Sequence, residues 1–150
     1  MLRNNGTPLL IVQPPYSMFD RRAEKIGVFD AAKEEGAGVI CFSSLAQGVL
    51  SDRYLDGIPE DSRASKNHFL PKHSITEEKI EIVRKLKAFA EKRGQSLAAM
   101  ALSWNLRGDK VTSLLIGASS KKQIEENLKA LDNLSFTPDE LEAIEDILRG

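Results

Sequence analysis

The residues best equipped for chemistry are the hydroxyls, amides and lysines of one stretch, Leu114-Leu-Ile-Gly-Ala-Ser-Ser-Lys-Lys-Gln-Ile-Glu-Glu-Asn127. Its first three residues read as a strand covered on both faces, as in a parallel sheet, ending at Gly117. Ser120 followed three residues later by Gln123 is a capping-box pattern, so a helix starts there. Ile124, Leu128 and Leu131 give that helix one apolar stripe. A helix N-terminus offers free N–H groups, and two hydroxyls with Lys121-Lys122 beside it make a phosphate cradle in chemical terms. The simpler reading of the same residues, and the one they favour on their own, is an ordinary capped helix with solvated lysines, since such starts are common. Elsewhere, His68 and His73 lack cysteine or carboxylate at ligand spacing, so they read as surface residues and no metal is expected.

Composition sets the outer limits. The 150 residues suffice for one domain with a real core, and 41% hydrophobic with 29% charged residues is globular. A net charge of −1 gives no general pull toward nucleic acid or an anionic membrane, so phosphate binding would have to be local. Cys41 is the single cysteine, which excludes an internal disulfide and fits a reducing compartment. No apolar stretch approaches the ~18 residues of a membrane span, and the N-terminus lacks a signal-peptide pattern. The expectation is a cytoplasmic protein with no membrane and no nucleic-acid partner.

Several elements must hold the cradle in place. Residues 1–6 resemble the last turn of a helix with Gly6 past its C-cap, and Leu9 to Val12 form a short strand stopped by Pro14-Pro15. A helix follows from about Arg22 to Glu35, with Ile26, Phe29 and Ala32 inward and Gly36 closing it. Gly38 to Phe42 are a second strand, and Ser43 to Gly48 a turn of small and polar residues. From Ser51 to about Ile75 no periodicity is visible, an unusually long loop for a compact domain. Thr76 caps a helix with Ile80, Val83, Leu86 and Phe89 on one face, and Ser96 caps another with Leu97, Met100, Ala101 and Trp104 inward. Val111 to Ile116 are the third strand. Thr137-Pro-Asp-Glu140 starts a last helix docked by Leu141, Ile144 and Leu148. Strands alternating with helices predict an α/β chain with three parallel strands, and such a sheet has two open edges. Those edges and the orphaned helix end suggest a piece of something larger.

Four segments together resemble the aldo-keto reductases: Gln13-Pro-Pro-Tyr16, Phe42-Ser-Ser-Leu-Ala-Gln-Gly48, Tyr54-Leu-Asp-Gly-Ile-Pro59 with Ser62-Arg63, and Gly117 to Asn127. The resemblance covers essentially the whole chain and is greatest to the branch of bacterial glyceraldehyde-phosphate reductases and potassium-channel β subunits. It implies the C-terminal part of a (β/α)8 TIM barrel, strands six to eight and the terminal helices, in a fold that typically needs about 250 residues.

The resemblance also implies NADP(H) as cofactor and assigns roles one by one. Gln13 would hydrogen-bond the nicotinamide carboxamide and Phe42 would stack on its ring; Phe42 could equally be core packing. Ser43, Leu45 and Gln47 would line the pyrophosphate, with Gly48 allowing close backbone approach. Position 44, often proline in the family, is Ser44 here, and Arg53 stands where lysine is common. Arg63 would lie in the loop over the cofactor. Gly117, Ser119 and Gln123 would take the 2′-phosphoribose, with charge from Lys121 or Lys122, while Glu126 and Asn127 would reach the adenine end.

The catalytic aspartate, tyrosine, lysine and histidine of the family fall before residue 1, so no catalytic residue is assigned here. Neither Tyr16 nor Tyr54 sits in the matching motif. The parent would reduce a small-molecule aldehyde or ketone by hydride transfer, and the isolated chain is expected to be inactive. Alternatives are a non-catalytic nucleotide-binding or assembly module, or part of a channel-β-subunit-like regulatory protein. A homo-oligomer through the open sheet edges is also expected.

Overall fold

Val39 and Cys41, both buried, alternate with half-buried Gly38 and Ile40 along the strand at the middle of the sheet, β2 (Gly38–Cys41). The computed structural model describes residues 5–60, 62, 64–65 and 70–150. β1 (Ile11–Val12) and β3 (Ser113–Leu114) flank β2, both parallel to it, in the order β1-β2-β3. Ile11 lies opposite Gly38 and Val12 opposite Val39; Ile40 lies opposite Ser113 and Cys41 opposite Leu114. Pairing continues past the strands. Phe42 donates to the Pro14 carbonyl at 3.3 Å, Tyr16 donates to the Phe42 carbonyl at 3.1 Å, and Leu115 donates to the Cys41 carbonyl at 2.8 Å. Burial pushes the Cys41 thiol up to about 11, so it packs as an inert hydrophobe.

Among the described residues the α-helices that accompany the sheet are α1 (Arg22–Lys25), α2 (Val28–Glu35), α3 (Glu77–Lys92), α4 (Leu97–Leu106), α5 (Lys121–Leu128) and α6 (Pro138–Arg149). Thr76, Ser96, Ser120 and Thr137 each accept a backbone N–H three residues on, at the four starts where the sequence places caps. α4 is the centre of the core: Leu97 and every residue from Ala99 to Asn105 are buried. A helix apolar on all sides belongs inside, and α3 and α6 cover it with Val83, Leu86 and Ile144.

A polar cluster ties the chain after β1 to three helices. The Tyr16 hydroxyl donates to the Glu24 carboxylate, which also accepts from Arg21 Nε at 2.6 Å and pairs with Arg107 at 3.2 Å. Arg21 reaches on to Glu145 of α6. The Arg107 guanidinium lies 3.6 Å from the Trp104 ring centroid, and Tyr16 stacks on the same ring while meeting Phe29 edge-on. Burial pushes the Tyr16 phenol up. Burial would also raise the Glu24 carboxyl, but the bonds from Tyr16 and Arg21 outweigh it and hold it below the usual range. Arg93, at the end of α3, fastens α6 in a similar way, lying 3.9 Å from the Phe136 centroid and paired with Glu140.

Several sequence expectations change. The helix expected over 22–35 breaks at Gly27, where φ is +75°, and Ile26 is 76% exposed instead of inward. The paired parts of β1 and β3 are shorter than the apolar runs that contain them, and among the described residues each pairs only toward β2, as an edge strand. Leu9, Leu10 and Ile11 on one side, and Leu115 and Ile116 on the other, are therefore exposed and not covered on both faces. The Ile124, Leu128 and Leu131 stripe is exposed as well, beside β3, the edge strand of the sheet among the described residues. The 51–75 loop contains short helical turns at Asp52–Tyr54 and Lys72–Ser74, and it buries Tyr54, Ser62, Ala64 and Leu70. Residues 1–4 of the expected helix end lie outside the described residues; Gly6 has the left-handed φ of +71° suited to a residue past a C-cap. No helix among the described residues is long and apolar enough to cross a membrane.

Because Glu24 titrates below its unfolded value, its contribution is present above about pH 4.3 and is lost as pH falls through the folded pKa. Glu24→Gln should cost about 1–3 kcal/mol at neutral pH and flatten the acid limb of stability, measured by urea unfolding from pH 7 to 3. An acid limb of unchanged steepness in the variant would show that other carboxylates govern it.

Candidate functional site

Three turns leave the sheet just past the C-terminal ends of its strands, carrying Gln13, Phe42 and Gly117. The first ends at Gln13, which is exposed, and is pinned behind by Tyr16. Phe42 is fixed through its backbone, which bonds Pro14 and Tyr16, while its ring remains 38% exposed. The core-packing alternative for Phe42 thus does not describe this chain.

The second turn, 43–48, is the most strained stretch described. Ser43, Ala46 and Gln47 have φ of +57°, +47° and +60°, and Gly48 follows at +95°. Left-handed backbone at a non-glycine residue costs on the order of 1–3 kcal/mol, and such strain concentrates at functional sites. Internal bonds close the turn: Ala46 donates to the Ser43 carbonyl at 2.8 Å, Gly48 to the Leu45 carbonyl at 2.9 Å, and Gln47 Nε2 to Ser43 Oγ at 3.2 Å. A Cβ at Gly48 would meet Tyr54 Cε2 at 3.6 Å, so its φ, more than space, calls for glycine.

At the third turn the capping box is offset. Ser120 Oγ accepts from the Gln123 N–H at 3.3 Å, but the Gln123 side-chain oxygen accepts from the Ser119 N–H at 2.7 Å and its hydroxyl at 3.1 Å. Lys121 pairs with Glu125 at 3.3 Å, and Glu126 with Lys129 at 2.8 Å, which holds the Glu126 carboxyl below its usual range.

A cleft of about 1020 Å³ runs between the second and third turns. From one wall come Ser43, Leu45, Gln47, Gly48 and Arg53; from the other, Gly117, Ser119, Gln123, Glu126 and Asn127. Leu115 and Ile116 form an apolar part of its lining. Lys122, not Lys121, contributes the lysine. Gln13 and Phe42 lie past the neighbouring strand ends outside this lining, and Arg63 lies outside the described residues. Sequence reasoning missed Ser44, Ser51 and Tyr54, which also line the cleft; all three lie within or beside motifs already singled out, and Ser44 and Tyr54 are buried while Ser51 is half-buried. The Ser44 and Tyr54 hydroxyls are buried with no hydrogen-bond partner among the described residues. A second cavity, of about 610 Å³ beside Arg107 and Phe136, contains none of the expected residues. No group of three or more metal-ligating side chains occurs among the described residues; His68 is outside them.

Parallel strands joined by helices, with glycines, hydroxyls and cations collected past the strand ends, define a β/α-barrel type of protein whose sites lie at that end. The chain belongs to the aldo/keto reductase family, whose sequence model it matches over residues 1–149. It is 46% identical over 149 residues to the L-glyceraldehyde 3-phosphate reductase of Escherichia coli K12, covering 97% of this chain and 43% of that protein. It is 33% identical over 145 residues to a probable voltage-gated potassium channel subunit beta of Arabidopsis thaliana, covering 94% and 44%. Among solved structures, a glycerol dehydrogenase from Gluconobacter oxydans superposes with a TM-score of 0.78 at 30% identity, covering 97% of this chain and 44% of that one. An aldo-keto reductase from Bacillus halodurans has the same fold, with a TM-score of 0.68 at 24% identity over 95% of this chain and 44% of that one. The chain thus spans less than half the length of the curated relatives it matches, and its fold is that of the C-terminal portion of a TIM barrel.

Removing a buried hydroxyl that has no partner costs no hydrogen bond. Tyr54→Phe should therefore unfold at the same urea midpoint as the parent chain or a higher one. A loss of more than about 1 kcal/mol would reveal a partner for that hydroxyl.

Proposed function

We propose that this chain is the NADP(H)-binding portion of an aldo-keto reductase that reduces aldehydes or ketones by hydride transfer. One observation carries the reading: a single cleft gathers ten residues that the family resemblance assigns to the cofactor, from turns far apart in sequence. The local chemistry fits the group. The 43–48 turn is already bent past the end of β2, Gly48 opens the backbone, and Arg53 and Lys122 bring positive charge. When bound, the nicotinamide would supply the hydride.

The chain's own residues would bind and orient. Gln13 would hold the carboxamide, and the exposed Phe42 ring would offer a flat apolar face to the nicotinamide. Ser43, Leu45, Gln47 and Gly48, with Arg53, would surround the pyrophosphate; Arg63 would lie over it. Gly117, Ser119, Gln123 and Lys122, with Lys121 nearby, would take the 2′-phosphoribose, and Glu126 and Asn127 the adenine end. Neither tyrosine suits the proton donor that carbonyl reduction needs. Tyr16 is held between Glu24, Phe29 and Trp104, and the Tyr54 hydroxyl is enclosed by protein. General acid–base help is typically worth about 10²–10⁴-fold, so the 150-residue chain alone should turn over aldehyde with NADPH no faster than background. NADPH should quench or shift its own fluorescence on titration into the chain, with Arg53→Ala and Lys122→Ala each weakening binding roughly fivefold. Turnover by the pure chain, or affinity indifferent to both substitutions, counts against the reading.

The exposed apolar residues beside β1 and β3 favour an assembly role as well. Two open edges on one parallel sheet invite further strands, here a second copy of the chain. Light scattering at micromolar concentrations should give a mass above the 16.6 kDa monomer. A monodisperse monomer would remove the assembly reading while leaving the cofactor cleft intact.

A further inference from the structure

We infer that Asn105 positions the 43–48 turn through Ser44, holding its carbonyl in the free chain and taking its hydroxyl when a nucleotide phosphate seats in the cleft. This rests on the cofactor reading above. Asn105 is on α4, the most buried helix, and is itself only 1% exposed. Its Nδ2 donates to the Ala101 carbonyl of its own helix at 2.7 Å and across to the Ser44 carbonyl at 3.3 Å. Two carbonyl acceptors on Nδ2 fix which end of the amide is nitrogen, so Oδ1 is the end left over. Among the described residues that oxygen has no partner, and neither does the buried Ser44 hydroxyl. One is an acceptor and the other a donor, on two residues already joined by a hydrogen bond.

The tie has a task. Ser43, Ala46 and Gln47 hold left-handed backbone, a state that persists only where the surroundings over-determine it. The short bonds inside the turn shape it but do not fix its place on the scaffold. Asn105 does so from a helix that packing immobilises. The Ser44–Asn105 bond at 3.3 Å is long, and a small advance of the turn with a change of the Ser44 rotamer would pair the two orphaned groups. A ligand that pulls the turn toward its phosphates would complete the second bond, so the free energy of that bond adds to binding. A residue at position 44 without a hydroxyl could not make it; the device belongs to Ser44 of this chain.

The test uses the 150-residue chain with NADPH as probe. In the free chain, Asn105→Ala should speed amide hydrogen exchange at Ala46, Gly48 and Leu50 about tenfold while Val39 and Cys41 keep their protection. Uniform acceleration would mean general destabilisation and overturn the positioning role. Ser44→Ala should leave the thermal midpoint of the free chain unchanged, weaken NADPH binding roughly fivefold, and be rescued by Ser44→Thr, which restores a hydroxyl. Undiminished affinity in Ser44→Ala, or no rescue by threonine, overturns the hydroxyl contact. If the parent chain binds no NADPH, the cofactor reading and the hydroxyl contact both fail, while the exchange experiment still decides the carbonyl tie.

Discussion

Everything in this chain hangs on β2. Its four residues carry both ladders of the sheet, one edge bonding β1 and the other β3, and the second register ends β2 and β3 level, Cys41 opposite Leu114. That alignment brings the turns after β2 and β3 to opposite walls of one cleft. A slip of one residue would turn Val39 and Cys41 out of the core and carry the cleft residues with them. The constraint is reinforced past the strands, where Phe42 bonds both Pro14 and Tyr16.

Behind the sheet the chain spends polar groups to fix geometry. Tyr16, Glu24, Arg21 and Arg107 saturate one another around the Trp104 ring, and Arg93 does the like at the start of α6. These clusters hold rigid what stands next to the site. The 43–48 turn differs, with left-handed residues and two unpaired hydroxyls at or beside it. Rigid support beneath a strained turn is a common arrangement for binding phosphates, because the support confines the strain to the segment that meets the ligand.

Local features were legible from sequence and long-range ones were not. All four helix starts are where Ser or Thr predicts them, since capping depends on residues three apart. The core stripe of α4 was legible too, because Met100 and Trp104 are buried wherever the helix packs. Ile26 and the Ile124 stripe misled, because apolar spacing says which face wants cover and not whether cover is present. The Gly27 break was readable in principle, a glycine within a helical pattern. At the site, the local chemistry of Gly117 to Asn127 favoured a plain cap over a phosphate cradle, and its place opposite 43–48 in one cleft is a long-range feature no local pattern encodes. The shift of the Gln123 side chain from Ser120 to Ser119 depends on a rotamer that no sequence pattern encodes.

The two ladders of β2 are unequal in the chain they enclose. Between β1 and β2 lie only the short helices α1 and α2; between β2 and β3 lie the long loop, α3 and α4. Closing the larger loop costs more entropy before any contact rewards it, and non-local pairing slows folding. By that reasoning the β1–β2 pairing is expected to form before the β2–β3 ladder. The two walls of the cleft follow β2 and β3, so on that order the cleft is complete only once the β2–β3 ladder has formed.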